Sequence, residues 1–301
     1  TSTLQILLVQ WIERHDCSEN TRNTYKRCMD LHITPGIGSI RLNELTTPIV
    51  QVFLDSLTPG TAHTARAVLS SALGMAVRWG LMSHNVVRDT KLQKKKRSDP
   101  TSLSDDEILE YRRRIKEWCG GNSMGPARGD GLLEIIDVCI GSGCRIGEVL
   151  ALRWEDVDLD AGTVTVAGTI DKSTGKRKNW PKNGSSRRTI PVTPAAVDAL
   201  QRQWDKPARE YLGEPVFPRR TGEWRSVDSV ETRLRDARGD GMDHITPHAF
   251  RHTVATRIER RFGMLAASRH LGHSSTAVTE QVYVARPEVI ADYTSAFKVS
   301  I

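Results

Sequence analysis

The sequence predicts a mostly α-helical protein in two parts, with a small antiparallel β-sheet in the second. Three observations carry this. Apolar residues recur at helical spacing through most of the 301 residues, beginning with Leu4, Leu7, Leu8, Trp11 and Ile12. Only two short stretches, Thr163-Val164-Thr165-Val166 and Thr189-Ile190-Pro191-Val192, have the β-branched character of strands. A basic run closed by Pro100, with Lys91, Lys94, Lys95, Lys96 and Arg97, reads as a linker. A chain this long exceeds the usual single core, so residues 1–90 are expected to form one helical domain, 91–101 the linker and 102–301 a second domain with a tail at 287–301.

The elements follow in order. A second helix from about Thr21 places Tyr25, Cys28, Met29 and His32 on one stripe, and Pro35-Gly36-Ile37-Gly38 is expected to break it. Thr47-Pro48 suits a helix start, and a fourth helix runs from Thr61 through Val68, Leu69, Leu73 and Ala76 to Trp79, ending at Gly80. Ser104-Asp105-Asp106-Glu107 is a capping box leading into a helix to Trp118. A glycine-rich loop follows, then an apolar helix over Leu132 to Ile140 and a turn at Gly141-Ser142-Gly143 that delivers Arg145 to the start of another helix. After the strand at Thr163 comes a polar turn from Asp171 to Gly175. Later helices are expected at Pro194 to Trp204, Val227 to Ala237, Pro247 to Arg260 and Leu265 to Leu271. Trp11, Trp79, Trp118 and Trp154 read as core residues.

Composition narrows the function. The 43 Lys and Arg against 36 Asp and Glu give a formal charge of +7, which favours a polyanionic partner without naming it. Residues 1–90 contain 8 basic and 7 acidic side chains, so the excess lies in the linker and second domain. Five cysteines without a C-x-x-C pair argue against a disulfide framework and a cysteine zinc site, and fit a reduced, cytoplasmic setting. No apolar run approaches the roughly 20 residues of a membrane span, and no signal peptide opens the chain, so a soluble protein is expected. The start at Thr1, close to an apolar helix, leaves room for an upstream segment.

Chemistry concentrates near the C-terminal end. Gly272-His273-Ser274-Ser275 is followed, ten residues after the histidine, by Tyr283, and His248 and Arg251 lie upstream at a spacing that shares one helix face. Arg145 and Glu148 repeat that spacing, so the carboxylate can hold an arginine or an imidazole in place. Cations for the equatorial oxygens and a proton donor for the leaving oxygen are what metal-free phosphodiester cleavage through a tyrosine requires. Arginine suits the oxygens because its charge is permanent and its donors are fixed. Lys182, in the turn-like Pro181-Lys182-Asn183-Gly184, has a flexible ammonium suited to proton donation; Lys172, Lys176 and Lys178 share its hairpin. His248 and His252 have the spacing of some zinc sites, but no cysteine or carboxylate set completes the shell, so neither metal nor cofactor is expected. Tyr293 is an alternative phenol, disfavoured by its distance from His273.

These residues together resemble the tyrosine recombinase family of phage-type integrases. The resemblance rests on Gly143-Cys144-Arg145-Ile146-Gly147-Glu148, Lys182 before Arg187-Arg188, His248-Ala249-Phe250-Arg251-His252, and Leu271-Gly272-His273-Ser274-Ser275 through Tyr283. Residues 1–90 resemble the family's helical, SAM-like core-binding domain, and Ile33 to Gly38 with Leu42 to Thr46 looks more like mobile-element integrases than Xer resolvases. The pattern departs from most relatives at Val282, where threonine is usual, and at Gly147, where serine is frequent. The resemblance implies a mixed α+β catalytic domain. In it Tyr283 attacks the scissile phosphorus to form a 3′-phosphotyrosine, Arg145, Arg251 and His273 stabilise the phosphorane, Lys182 protonates the 5′ oxygen, and His248 assists at the tyrosine. Glu148 has a supporting part beside Arg145.

It also implies a homo-tetramer on two duplexes at DNA attachment sites, with accessory bending and directionality factors. Lys91, Lys94, Lys95, Lys96 and Arg97 form a strap across the phosphate backbone in this reading, and Arg187 and Arg188 also contact DNA. A type IB topoisomerase uses the same nucleophile and cations alone, and a non-catalytic DNA-binding regulator needs only the basic clamp. The two-domain layout and the full chemical set favour recombination.

Overall fold

The computed structural model describes residues 2–93, 102–121, 128–180, 187–207, 213–272 and 292–297. They belong to two compact units, Thr1–Ser98 and Asp99–Ile301, each with its own core.

The first unit is helical throughout. Helix α1 (Leu4–Arg14) buries Leu4, Leu7, Leu8, Trp11 and Ile12, the residues whose spacing predicted it. Helix α2 (Glu19–Cys28) is capped by Ser18, whose hydroxyl accepts from the Thr21 amide. Pro35 and Gly36 do not break the helical path as expected. A π-turn over Met29–Ile33 leads into a short helix, α3 (Thr34–Ile37), with Pro35 at its start. Proline lacks the N–H for an i−4 bond and its ring crowds that carbonyl, and the wider turn places the residue where no such bond is due. Gly36 is needed for space, since a Cβ there would sit 2.7 Å from the Phe53 ring. Helices α4 (Thr47–Asp55) and α5 (Pro59–Arg78) complete the bundle, and α5 begins two residues earlier than Thr61. Trp79, expected in the core, is 45% exposed, with the Arg14 guanidinium 5.3 Å from its ring centroid. It follows the last turn of α5, where the core-facing stripe has ended.

The second unit starts with α6 (Asp105–Gly120), on the predicted Ser104 and Glu107 capping box. Helix α7 (Leu132–Ser142) is buried nearly all round and packs most extensively on α9 (Pro194–Trp204). The expected turn at 141–143 narrows to Gly143. Gly141 stays helical, and its missing side chain lets the start of α9 approach closely: a Cβ there would lie 2.3 Å from Thr193 Oγ1. Gly143, at φ +67°, ends the helix in the left-handed conformation. Helix α8 (Ile146–Val149) follows with Arg145 at its N-cap.

Strands β1 (Val157–Asp158), β2 (Thr163–Val166) and β5 (Arg188–Pro191) form an antiparallel sheet in the order β1-β2-β5, with Val164 opposite Ile190. A separate hairpin, β3 (Gly168–Ile170) and β4 (Arg177–Asn179), closes through the predicted turn, where Asp171 Oδ1 accepts from the Ser173 amide at 2.8 Å. That hairpin escapes the β-branched pattern because β4 is Arg177-Lys178-Asn179, a polar edge. Helices α10 (Val227–Arg238), α11 (Pro247–Phe262) and α12 (Met264–Leu271) finish the described body. In the tail, Phe297 is buried against Val254 and Ile258 of α11 and Ala266 and Ala267 of α12 in its own chain. No helix among the described residues is long and apolar enough to cross a membrane.

Candidate active site

The site is built where α8, β5, α11 and the end of α12 meet. Arg145 caps α8, and its backbone amide donates to Glu148 Oε2 at 3.0 Å while its Nη1 donates to Oε1 at 2.8 Å. One carboxylate therefore satisfies an orphan helix-start amide and clamps the side chain next to it. Glu148 has a fully buried side chain, whereas that of Arg145 is 47% exposed. The arginine is anchored at one edge and open to solvent.

Arg251 enters from the second turn of α11, behind a Thr246 cap whose hydroxyl accepts from the Ala249 amide. Its Nη1 donates to the Gly143 carbonyl at 3.0 Å and its Nη2 to the Leu271 carbonyl at 2.7 Å. It thus braces the backbone two residues before Arg145 and two before His273 in sequence. Glu148 Oε2 lies 4.0 Å from Nη1. Burial, only partly offset by Glu148, pushes the Arg251 guanidinium down to about 10, which still leaves it charged at neutral pH.

Burial alone would raise the Glu148 carboxyl. The Arg188 and Arg251 cations and the Arg145 hydrogen bond outweigh it and hold the group below the ordinary glutamate range. Glu148 is a permanent anion at neutral pH, facing three guanidinium groups. His248, in the first turn of α11, is shifted the other way, lowered by partial burial and then by the positive fields of His252, Arg251 and Arg145. Its ring stands edge-on to His252, with centroids 4.5 Å apart. A neutral imidazole suits a group that accepts a proton.

The structure thus brings Arg145, Glu148, His248 and Arg251 together. Lys182, His273 and Tyr283, and the linker residues Lys94, Lys95, Lys96 and Arg97, lie outside the described residues. Lys91 and Arg187 are exposed, as a DNA contact requires. Arg188 is not, and its expected place on the DNA is corrected: the side chain is 4% exposed and donates to Glu148 Oε2 at 2.9 Å and to the His270 carbonyl at 2.9 Å. The strand period could have shown this, because Arg188 has the same parity in β5 as the fully buried Ile190, while Arg187 has the opposite one. His270, which the sequence suggests as a structural residue or backbone contact, is fully buried, and its Nε2 donates to the Ser142 carbonyl at 2.9 Å. Among the other hairpin lysines, Lys172 is paired with Glu231 at 3.2 Å.

Arginines that converge on one buried carboxylate beside a neutral imidazole offer what phosphoryl transfer needs, positive charge for an anionic transition state and a proton acceptor. Residues 127–288 match the family model described as phage integrase family, and residues 3–58 match that of the phage integrase N-terminal SAM-like domain. Tyrosine recombinase XerC of Xanthomonas campestris pv. campestris (strain B100) is 31% identical over 282 residues, covering 90% of this chain and 80% of that protein. Among solved structures, the Tn1549 transposon integrase in complex with a circular intermediate DNA superposes with a TM-score of 0.74 at 20% identity, covering 91% of this chain and 92% of the other. A lambda integrase dimer bound to a COC′ core site gives a TM-score of 0.66 at 19% identity, covering 94% and 100%. The chain belongs to the phage integrase family of tyrosine recombinases, and it is a DNA breaking-and-rejoining enzyme of site-specific recombination.

Proposed function

We propose that this recombinase integrates and excises a phage or other mobile element, joining strands through a 3′-phosphotyrosine on Tyr283. Tyr283 Oη attacks the phosphorus and the bond to the 5′ oxygen breaks. Lys182 supplies the proton that the leaving oxygen takes up, and His248 receives the one that the phenol gives away. Arg145, Arg251 and His273 stabilise the charge on the non-bridging oxygens. A 5′-hydroxyl of another strand reverses the step, so the phosphodiester energy is conserved in the covalent link. The observation that carries this reading is the shared Glu148 clamp, which holds Arg145 half-exposed beside a neutral His248 and a braced Arg251.

In this reading the working assembly is a homo-tetramer on two attachment-site duplexes in the cytoplasm, aided by DNA-bending and directionality factors. A lambda integrase tetramer bound to a Holliday junction, with a TM-score of 0.66, supports such an assembly. The linker residues from Lys91 to Arg97, with Arg187, contribute the phosphate contacts.

The test is covalent capture. The protein is incubated with a library of nicked duplexes of random core sequence, denaturant-resistant adducts are isolated, and both the DNA and the modified peptide are sequenced. We expect an adduct on Tyr283, lost in Tyr283→Phe with duplex binding retained. An adduct that survives in that variant would remove Tyr283 from its role. Relaxation of supercoils without recombinants from paired captured sites would point to a topoisomerase.

A further inference from the structure

Arg188 is tied to two parts of the site by partners far away in sequence. From β5 its Nη2 donates to Glu148 Oε2 at 2.9 Å and approaches the Cys144 sulfur at 3.8 Å, while Nε donates to the His270 carbonyl at 2.9 Å. Arg251 donates to the next carbonyl of the same helix end, that of Leu271. Two guanidinium groups from different elements therefore close the C-terminal turn of α12, where orphan carbonyls and the negative end of the helix dipole favour cations. Gly272, at φ +66°, completes the fit, since a Cβ there would sit 3.0 Å from Arg188 Nη1.

The division of labour at Glu148 follows. Oε2 takes Arg188 and the Arg145 amide, which leaves Oε1 to hold the Arg145 guanidinium. We propose that Arg188 is a positioning residue for strand cleavage, which fixes the Glu148 carboxylate from its buried side so that Arg145 stays aimed at the scissile phosphate. Without it, the nearest remaining buried cation among the described residues is Arg251, 4.0 Å from Oε2. The carboxylate is then free to turn toward Arg251 and away from Arg145. This inference rests on the reading of Arg145 as a phosphate ligand.

Among the described residues, the groups facing Glu148 are Arg145 from its own helix start, Cys144 beside it, Cys139 from α7, whose thiol burial pushes well up, Arg188 from β5 and Arg251 from α11. Cys144 is held as a neutral thiol by burial. Removing Arg188 takes away one of the cations that keep the carboxylate ionised, so activity that depends on that anion is lost at a higher pH.

The experiment compares the full-length protein with Arg188→Met on the nicked duplex captured above, in single turnover, with affinity measured across a salt series. The expected result is cleavage slower by roughly 10- to 100-fold, the worth of one charge-assisted hydrogen bond. Affinity and its salt slope should be unchanged, and the acid limb of the rate profile should move to higher pH. In a Glu148→Gln background the same change should cost little more. A salt slope shallower by about 1 would mark Arg188 as a DNA contact and overturn the proposal; so would a wild-type rate or an unmoved acid limb. Should Arg188→Met not fold, Arg188→Lys keeps the charge without the planar fork. Slower cleavage at an unchanged salt slope then supports the role, and a wild-type rate or a shallower slope overturns it. If the unsubstituted protein forms no adduct, the reading of the reaction falls and the proposal with it; an active parent with an indifferent Arg188 sinks the positioning role alone.

Discussion

Replacing Glu148 by glutamine is the sharpest test of how the site is held. The change keeps the shape and removes only the charge, in a side chain with no exposed surface. The carboxylate accepts from the Arg145 amide at 3.0 Å, from Arg145 Nη1 at 2.8 Å and from Arg188 Nη2 at 2.9 Å. Glutamine offers one oxygen and one NH2, so either Arg145 Nη1 or the pair at Oε2 meets a donor in place of an acceptor. The change also leaves Arg188 and Arg251, with side chains 4% and 3% exposed, without their buried counter-charge. Breaking a buried pair from one side costs about 3–5 kcal/mol. Urea unfolding followed by circular dichroism should show that loss in the transition of the Asp99–Ile301 unit. The pH dependence has a defined sign. Because the folded carboxyl is held below its unfolded value, its contribution is complete above the ordinary glutamate pKa of about 4.3 and is lost as pH falls through the lower folded value. The gap between parent and variant should therefore stay level from pH 7 to about 5 and close only at stronger acid. A gap under about 1 kcal/mol at neutral pH, or one that widens on acidification, would refute the ionised buried clamp.

Other substitutions probe the surroundings. The Tyr111 hydroxyl is fully buried with no hydrogen-bond partner among the described residues, against Phe250 at a centroid distance of 5.3 Å, so Tyr111→Phe should stabilise the protein by about 1 kcal/mol in a thermal melt. A loss of that size would show the hydroxyl to be bonded. Gly141→Ala should destabilise by about 1–3 kcal/mol, because the new methyl would meet Thr193 Oγ1 at 2.3 Å and Ala196 Cβ at 2.5 Å. Gly60→Ala, in open space near the start of α5, should do no harm in the same assay. Since partial burial, His252, Arg251 and Arg145 all lower His248, its NMR titration midpoint should fall below the ordinary histidine value, and Arg145→Ala should raise it. A midpoint at or above the ordinary value would remove the neutral proton acceptor.

What the sequence reveals and what it hides divides along the range of the interactions involved. Helices α1, α5, α7 and α9 are legible because their buried stripes are local patterns, and the Ser104 cap is legible because its partner Glu107 is three residues away. The pairing of Arg145 with Glu148 is local in the same sense. Pro35 misleads because a π-turn changes the register in which a proline is tolerated, and Gly141 misleads because its close neighbour, Thr193, belongs to another element. Arg188 is the clearest case. Its side-chain partners lie 40 and 82 residues away, and the tandem with Arg187 looks like a basic surface patch until the strand's alternation turns one arginine inward.

This alternation explains how the site reconciles two demands. A pentavalent phosphorane needs concentrated positive charge, yet several guanidinium groups placed together repel one another and resist burial. The fold meets this with one carboxylate and several helix-end carbonyls: Glu148 draws three arginines, and the carbonyls of Gly143, His270 and Leu271 take donors from the two buried ones. Those acceptors carry at most partial charge, so they orient the guanidinium groups without neutralising them. Among the described residues of this cluster, three cations and one anion leave a surplus of two positive charges, and of the three arginines Arg145 has the half-exposed side chain. Each Arg251 terminal nitrogen uses one of its two N–H groups on a backbone carbonyl, which leaves the other directed elsewhere. In the proposed reaction the donors are therefore held in place before DNA arrives, and little reorganisation is left for the chemical step. Loosening any of the buried anchors should accordingly slow cleavage more than it weakens binding.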